Sequence, residues 1–309
     1  MSNDDGRKGE FALIDLIRRR AAASEAVPVG IGDDCAVLEA PGGPIVITTD
    51  MITEGVHFEK TDSLREVGWK AACVSFSDVA AMGLRPTALL CAAALPEGFS
   101  MQQAEEIFRG LNGACAEFGV ALAGGDTTSS TGPLSLCTTA LGKADGLRPL
   151  LRSGAKEGDV ILVTGLLGGS ILGKHLAFRP LIDEAVTLNS SFDVHAMIDI
   201  SDGLAADLDH IIQESKLGAV IEADRIPIAD AAHELARHTG RTPLQHALSD
   251  GEDFELLFTM HPDDADRLLR EPAFEAPVSA IGTIIDAGLF IEQDGQRRPL
   301  KPEGYEHFK

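Results

Sequence analysis

One stretch, residues 194–209 with the sequence VHAMIDISDGLAADLD, restricts the fold more than any other part of the chain. Its spacing predicts a short apolar strand over 196–200, a break at Ser201-Asp202-Gly203, and an amphipathic helix starting at Leu204. Asp199 and Asp202 flank that break. Two carboxylates ~4 Å apart repel by roughly 4 kcal/mol at an effective dielectric near 20, unless a cation lies between them. A divalent metal removes the repulsion, and a strand end before a helix N-terminus suits metal-bound phosphates. A helix N-cap is the other reading of Asp202. The device recurs along the chain. Gly32-Asp33-Asp34 leads into a strand over 35–38, and a strand over 44–49 ends in Asp50. A third strand, 120–123, delivers Gly124-Gly125-Asp126-Thr127.

Asp78 falls inside a helix predicted over 64–82, whose interior is almost wholly small or apolar. A carboxylate buried there needs a hydrogen bond, a salt bridge or a metal. The helix 101–118 carries its own punctuation, a capping box of Ser100 and Gln103 and a stop at Gly119. With strands over 87–94 and 134–142, the first half reads as an α/β or α+β domain over residues 1–147. A charged, aperiodic segment at 142–158 marks the junction, and a second domain fills 148–309.

In the second half, Gly168 to Lys174 has P-loop spacing after a strand over 159–164. His175 stands where a P-loop needs Ser or Thr, so the segment reads as a glycine-rich strand-to-helix turn. Gly218 is expected to end a helix, followed by a strand over 219–223 and a helix over 229–238. Glu252 and Asp253 lie in an acidic turn before an apolar strand. A last strand is expected over 289–293, and the tail carries Tyr305 and Phe308.

The chain has 309 residues, enough for two domains, with 26 basic against 48 acidic residues and a net charge of −22. That charge argues against nucleic acid or an anionic membrane as partner, and requires cations wherever a phosphate binds. The five cysteines show no zinc-type pairing and read as buried free thiols in a reducing compartment. Residues 1–10 are polar and no apolar run approaches ~18 residues, so a cytoplasmic protein without a transmembrane helix is expected.

Asp33, Asp50, Asp78, Asp126, Asp199 and Asp202 offer hard oxygen ligands, which select magnesium over zinc. Several such ions on a polyphosphate point to phosphoryl transfer, where positioning and charge neutralisation supply most of the catalysis. Arg152 reads as a phosphate partner or as a surface arginine.

An ordered series of motifs carries a family resemblance. It runs Gly9-Glu10-Phe11, Gly32-Asp33-Asp34, Thr48-Thr49-Asp50 with Glu54-Gly55-Val56-His57-Phe58, and Ser77-Asp78-Val79-Ala80-Ala81-Met82-Gly83. It continues with Gly124-Gly125-Asp126-Thr127, Arg152-Ser153-Gly154-Ala155-Lys156, Ser201-Asp202-Gly203-Leu204 and Gly251-Glu252-Asp253-Phe254-Glu255-Leu256-Leu257. The series resembles thiamine-monophosphate kinase along essentially the whole chain. The resemblance implies the two-domain α/β (α+β) fold of aminoimidazole ribonucleotide synthetase, with N-terminal domains pairing across a homodimer. It implies magnesium-dependent transfer from ATP to thiamine monophosphate, directly in line, giving thiamine diphosphate. Magnesium ligands would be Asp33, Thr48, Thr49 (partly through backbone), Asp50, Asp78, Asp126, Asp199 and Asp202. Of these, Asp126, Asp50 and Asp202 would act closest to the chemistry, with no covalent nucleophile. ATP would meet Phe108, Gly125, Asp126, Arg152 and Ser201; thiamine phosphate would meet His57, Glu252 and Tyr305 or Phe308.

Two positions depart from the family pattern. Asp250 stands where the family commonly has glycine, and Phe108 where it often has tyrosine. The rival readings are an aminoimidazole ribonucleotide synthetase-like enzyme and a non-catalytic magnesium-nucleotide-binding protein. A calcium-binding structural protein predicts a DxDxDG loop, which the chain lacks.

Overall fold

The computed structural model describes residues 10–20 and 24–305. It opens with helix α1 (Glu10–Arg20) and strands β1 (Ala36–Leu38) and β2 (Ile45–Thr53). Helix α2 (Leu64–Ala81), strand β3 (Arg85–Pro96), helix α3 (Met101–Phe118), and strands β4 (Ala121–Ser130) and β5 (Ser135–Lys143) follow. These strands form one sheet in the order β1-β2-β5-β3-β4, antiparallel except for the β3–β4 pair.

The rest of the chain contributes β6 (Val160–Thr164), α4 (Lys174–Ala177), α5 (Ile182–Ser191), β7 (Val194–Asp199) and α6 (Leu204–Ser215). Then come β8 (Gly218–Glu222), α7 (Asp230–Thr239), α8 (Pro243–Ser249) and β9 (Leu256–Met260). It closes with α9 (Pro262–Arg270), β10 (Val278–Ile285), β11 (Leu289–Gln293) and β12 (Gln296–Pro299). The second sheet runs β12-β11-β8-β10-β6-β9-β7, so β7 is an edge strand. The architecture is the mixed α/β one expected from the sequence, built on two sheets.

Helix α2 is the element both halves share. It packs on β2, β5 and β3 of the first sheet, on α3 beside it, and on β7 of the second sheet. Its run of small residues explains how. A side chain at Gly68 would meet the Ile107 carbonyl at 2.1 Å, and one at Gly110 would meet the Arg65 carbonyl at 1.9 Å. Reciprocal glycines let α2 and α3 cross almost backbone to backbone. The result is a helix buried nearly all round, with Asp78 half-buried inside it.

Several boundaries differ from the expectation. Strand β2 continues past residue 49 to Thr53, so Asp50 is interior to it, because β5 pairs along its whole length. The Gly124–Thr127 segment is no turn. It lies within β4, an edge strand held by parallel pairing with β3. Gly218 starts β8, and α6 instead ends at Lys216 in a left-handed conformation (φ 58°). Helix α8, with its Thr242–Gln245 capping box, and strand β12 were not anticipated. Cys35, Cys73 and Cys115 are buried free thiols as expected, with Cys91 and Cys137 half-buried.

Candidate active site

The period of a strand decides which of three adjacent residues reach α2. On β2, Thr48 and Asp50 face the helix: the Thr48 hydroxyl donates to Asp78, and Ser75 donates to Asp50 at 2.7 Å. Thr49 takes the other face, where its hydroxyl donates to the Thr138 carbonyl at 3.0 Å. From the second sheet, Asp199 at the end of β7 accepts a hydrogen bond from Ser77 of α2. Asp34, in the turn before β1, completes the group. Carboxylate oxygens of Asp34, Asp78 and Asp199 all lie within 4.8 Å of one another.

The acidity of these groups is strongly perturbed. Burial, then the neighbouring Asp50, Asp199 and Asp34, pushes the Asp78 carboxyl well above its usual range. Asp199 is pushed up to about 7 by burial and by Asp34, and Asp33 to about 7 by the same two causes. Asp50 is raised chiefly by burial. Arg152 opposes this charge: its guanidinium bonds Asp34 at 2.8 Å, and its backbone N–H lies 3.3 Å from both oxygens of Asp33. It is not a bare surface arginine.

Asp34 Oδ2 is buried and has no hydrogen-bond partner among the described residues. An orphaned carboxylate oxygen amid mutually repelling carboxylates fits a hard divalent cation, and the donors are the all-oxygen set that magnesium requires. A second group, Asp202, Asp207 and His210, also has ligand atoms within 4.8 Å of one another. Here Asp207 reaches back to the N–H groups of Asp202 (3.1 Å) and Gly203 (3.0 Å). The N-cap position of α6 is Gly203, so Asp202 is not the cap.

The cluster opens into a cavity of about 1130 Å³ lined by Thr49, Asp50, Asp78, Asp199, Ser201, Asp202, His57, Glu252 and Tyr305, among others. The His57 ring accepts the Thr53 N–H through Nδ1 at 3.1 Å, which leaves the ring proton on Nε2. Glu252 sits at φ 64° and pairs with Lys70 at 2.6 Å. Phe254, at φ 50°, stacks on Phe178 with centroids 3.8 Å apart. The Tyr305 N–H donates to the Asp202 carbonyl at 3.0 Å, which lays the tail along the cavity.

The glycine-rich turn after β6 has its amides occupied. Gly168 N–H donates to both Asp253 oxygens at 3.0 and 2.9 Å, and Gly169 N–H to Asp250 at 3.2 Å. Lys174 pairs with Glu255 at 2.6 Å. A loop that already holds carboxylates is not a phosphate cradle, in line with the reading against a P-loop. Asp250, the unusual carboxylate, is held by Arg241 at 3.0 Å and by His246 Nδ1 at 2.8 Å.

The structure therefore gathers most of the residues named from sequence, with Asp33, Thr48 and Arg152 joined to the cluster by hydrogen bonds. Phe108, Gly125 and Asp126 do not line this cavity; they lie exposed on α3 and β4. Phe308 lies outside the described residues. Sequence reasoning missed Asp34, Asp207 and Lys70. The Asp33-Asp34 dipeptide was a signal for the first, since two adjacent carboxylates both need a positive partner, and Arg152 serves both. Lys70 announced itself as a lysine inside a run of small apolar residues.

Both halves of the chain match family models: AIR synthase related protein, N-terminal domain, over residues 32–144, and its C-terminal domain over 156–294. Together these two matches span most of the chain and make it a protein of this AIR synthase related class. A thiamine-monophosphate kinase of Rhodopirellula baltica is 41% identical over 96% of this chain and 97% of its own. The structure of AaThiL complexed with AMPPCP and TMP superposes with a TM-score of 0.84 at 30% identity, covering 97% of each chain. The thiamine-monophosphate kinase of Stenotrophomonas maltophilia K279a gives a TM-score of 0.74 at 36% identity, over 93% of this chain and 97% of that one. Within the class, the chain belongs to the thiamine-monophosphate kinase family.

Proposed function

We propose that this protein transfers the γ-phosphoryl group of ATP to thiamine monophosphate, giving thiamine diphosphate and ADP by direct in-line displacement. The observation that carries the reading is the Asp34–Asp78–Asp199 group, two buried carboxylates and one half-buried, opening into a cavity shared with His57 and Glu252. Membership of the family and the likeness to AaThiL with AMPPCP and TMP support the same substrates.

Asp33, Asp34, Asp50, Asp78, Asp199 and Asp202, with Thr48, Thr49 and Asp126, would hold magnesium ions. Bound magnesium supplies charge neutralisation on the transferring phosphoryl group. Arg152, Ser201, Gly125 and Phe108 would contact ATP; His57, Glu252 and Tyr305 would position thiamine phosphate. The attacking oxygen belongs to a phosphate monoester, whose second ionisation falls near pH ~6, so no side chain needs to act as general base. The chain's own task is to align two polyanions and keep them from repelling. A cytoplasmic homodimer paired through the first sheet completes the reading. Among the described residues no helix is long and apolar enough to cross a membrane.

The direct test incubates the protein with ATP and thiamine monophosphate, with magnesium and with EDTA, and measures ADP and thiamine diphosphate. Stoichiometric, magnesium-dependent product is expected. ATP binding without product would sink the proposal.

A further inference from the structure

We propose that Lys70 is a positioning residue that holds the thiamine phosphate end of the cavity in one geometry, acting through Glu252 and the His57 turn. The inference rests on the functional reading above and deepens it. Lys70 belongs to α2, and its side chain has 0% exposure. Its ammonium lies 2.6 Å from Glu252 Oε1 and donates to the His57 carbonyl at 2.6 Å. Burial pulls its pKa down while Glu252 pulls it up, so the ion pair opposes desolvation.

Stability does not account for a lysine at this place. A buried ion pair is commonly replaceable by packed apolar side chains of similar volume without loss, and methionine has the right length. What an apolar residue cannot do is hold two polar groups from different parts of the fold. His57 comes from the turn after β2, in the first half; Glu252 comes from the loop before β9, in the second. The Glu252 loop is held in a demanding backbone conformation, with Glu252 at φ 64° and Phe254 at φ 50°. Their N–H groups donate to the Ser201 carbonyl at 2.7 Å and the Ile200 carbonyl at 2.8 Å. Left-handed non-glycine residues persist only where the surroundings over-determine them, and they cluster at ligand-holding sites. Lys70 supplies the side-chain half of that restraint. It keeps an anionic acceptor, Glu252, and the His57 turn together at the wall of the cavity. That pairing suits a cationic, amine-bearing heteroaromatic ligand, the organic part of thiamine phosphate.

The test compares Lys70→Met, Glu252→Gln and the double variant in steady-state kinetics, with amide hydrogen exchange over residues 250–254. Lys70→Met is expected to raise KM for thiamine monophosphate about tenfold, with KM for ATP changed less than about twofold. In the Glu252→Gln background the same change is expected to add nothing, because the two residues act as one unit. Amides of Glu252 and Phe254 are expected to exchange about tenfold faster in Lys70→Met, with those of α3 unaltered. Equal rises in both KM values, full additivity, or unchanged exchange in the loop would overturn the proposal. Should Lys70→Met fail to fold, Lys70→Gln, which keeps a donor for the His57 carbonyl, carries the same comparisons. A wild-type protein that makes no thiamine diphosphate defeats the functional reading alone, and hydrogen exchange still decides the role of Lys70.

Discussion

Asp199 ends a strand in which every residue is buried, and it is a carboxylate. Its neighbours Asp34 and Asp78 make the apoprotein work against itself, because each negative charge raises the energy of the others. Asp199→Asn is therefore expected to separate stability from activity. Kinase activity falls more than about 100-fold, as for loss of a group that holds transition-state charge. The metal-free melting temperature rises by about 2–4 °C, the shift that about 1 kcal/mol gives a domain of this size. The pH dependence follows from the same residues. Asp33 and Asp199 titrate near 7 in the folded chain but near the ordinary 3.8 when unfolded, so the folded state retains protons that the unfolded state has released. Stability of the metal-free protein is expected to fall as pH rises from about 4 to about 7, and urea midpoints should show a shallower slope for Asp199→Asn. At this scale the sequence pointed to most of the carboxylates that the structure brings together, since Asp78 in an apolar helix has few innocent explanations. It could not disclose that Asp34 joins Asp78 and Asp199, because that depends on where the turn before β1 meets α2.

Elements whose ends carry their own chemistry were the readable ones. Helix α3 begins and ends where Ser100, Gln103 and Gly119 say it should, and the capping box forms. Helix α6 starts at Leu204 as its apolar period predicts. Strands β2 and β4 run past their predicted ends because Asp50 and the Gly124–Ser130 stretch are made strand by pairing with β5 and β3, not by an apolar pattern of their own. Gly125 shows the constraint most directly. A Cβ there would stand 1.8 Å from the Cys91 carbonyl oxygen, so β3 and β4 approach at that point in a way only glycine permits. Gly125→Ala is expected to destabilise the protein by about 2 kcal/mol or more, read by denaturant unfolding. Gly30→Ala, which meets nothing within 4 Å, should stay within about 0.5 kcal/mol.

Across the whole molecule, the first sheet has one face on α2 and another that no described element covers to the same degree. Register aligns Met51, Cys137, Ala92 and Asp126 in one row across it, and Thr49, Thr139, Leu90 and Gly124 in the next. Met51 is 60% exposed and Leu90 41%. Asp50 and Asp78 lie on the α2 side, whereas Asp126 shares its row with Met51. Within one chain, then, Asp126 sits apart from the carboxylates it is proposed to assist. The homodimer proposed above, with a second copy laid across this open face, is the arrangement in which a site would draw its Asp126 from the partner chain. Subunit complementation distinguishes this arrangement from a site built by one chain. Asp126→Asn and Asp199→Asn are each expected to be inactive. With Asp126 shared across the interface, a mixed dimer of the two carries one site with both aspartates intact and one with neither. If Asp126 acts across the interface, mixing and refolding the two inactive proteins restores activity, up to half that of wild type in each heterodimer. If it acts within its own chain, every site in the mixture lacks one aspartate and no activity returns. Leu90→Arg, placed on the open face away from the carboxylate cluster, should lower both the sedimentation coefficient and the recovered activity together.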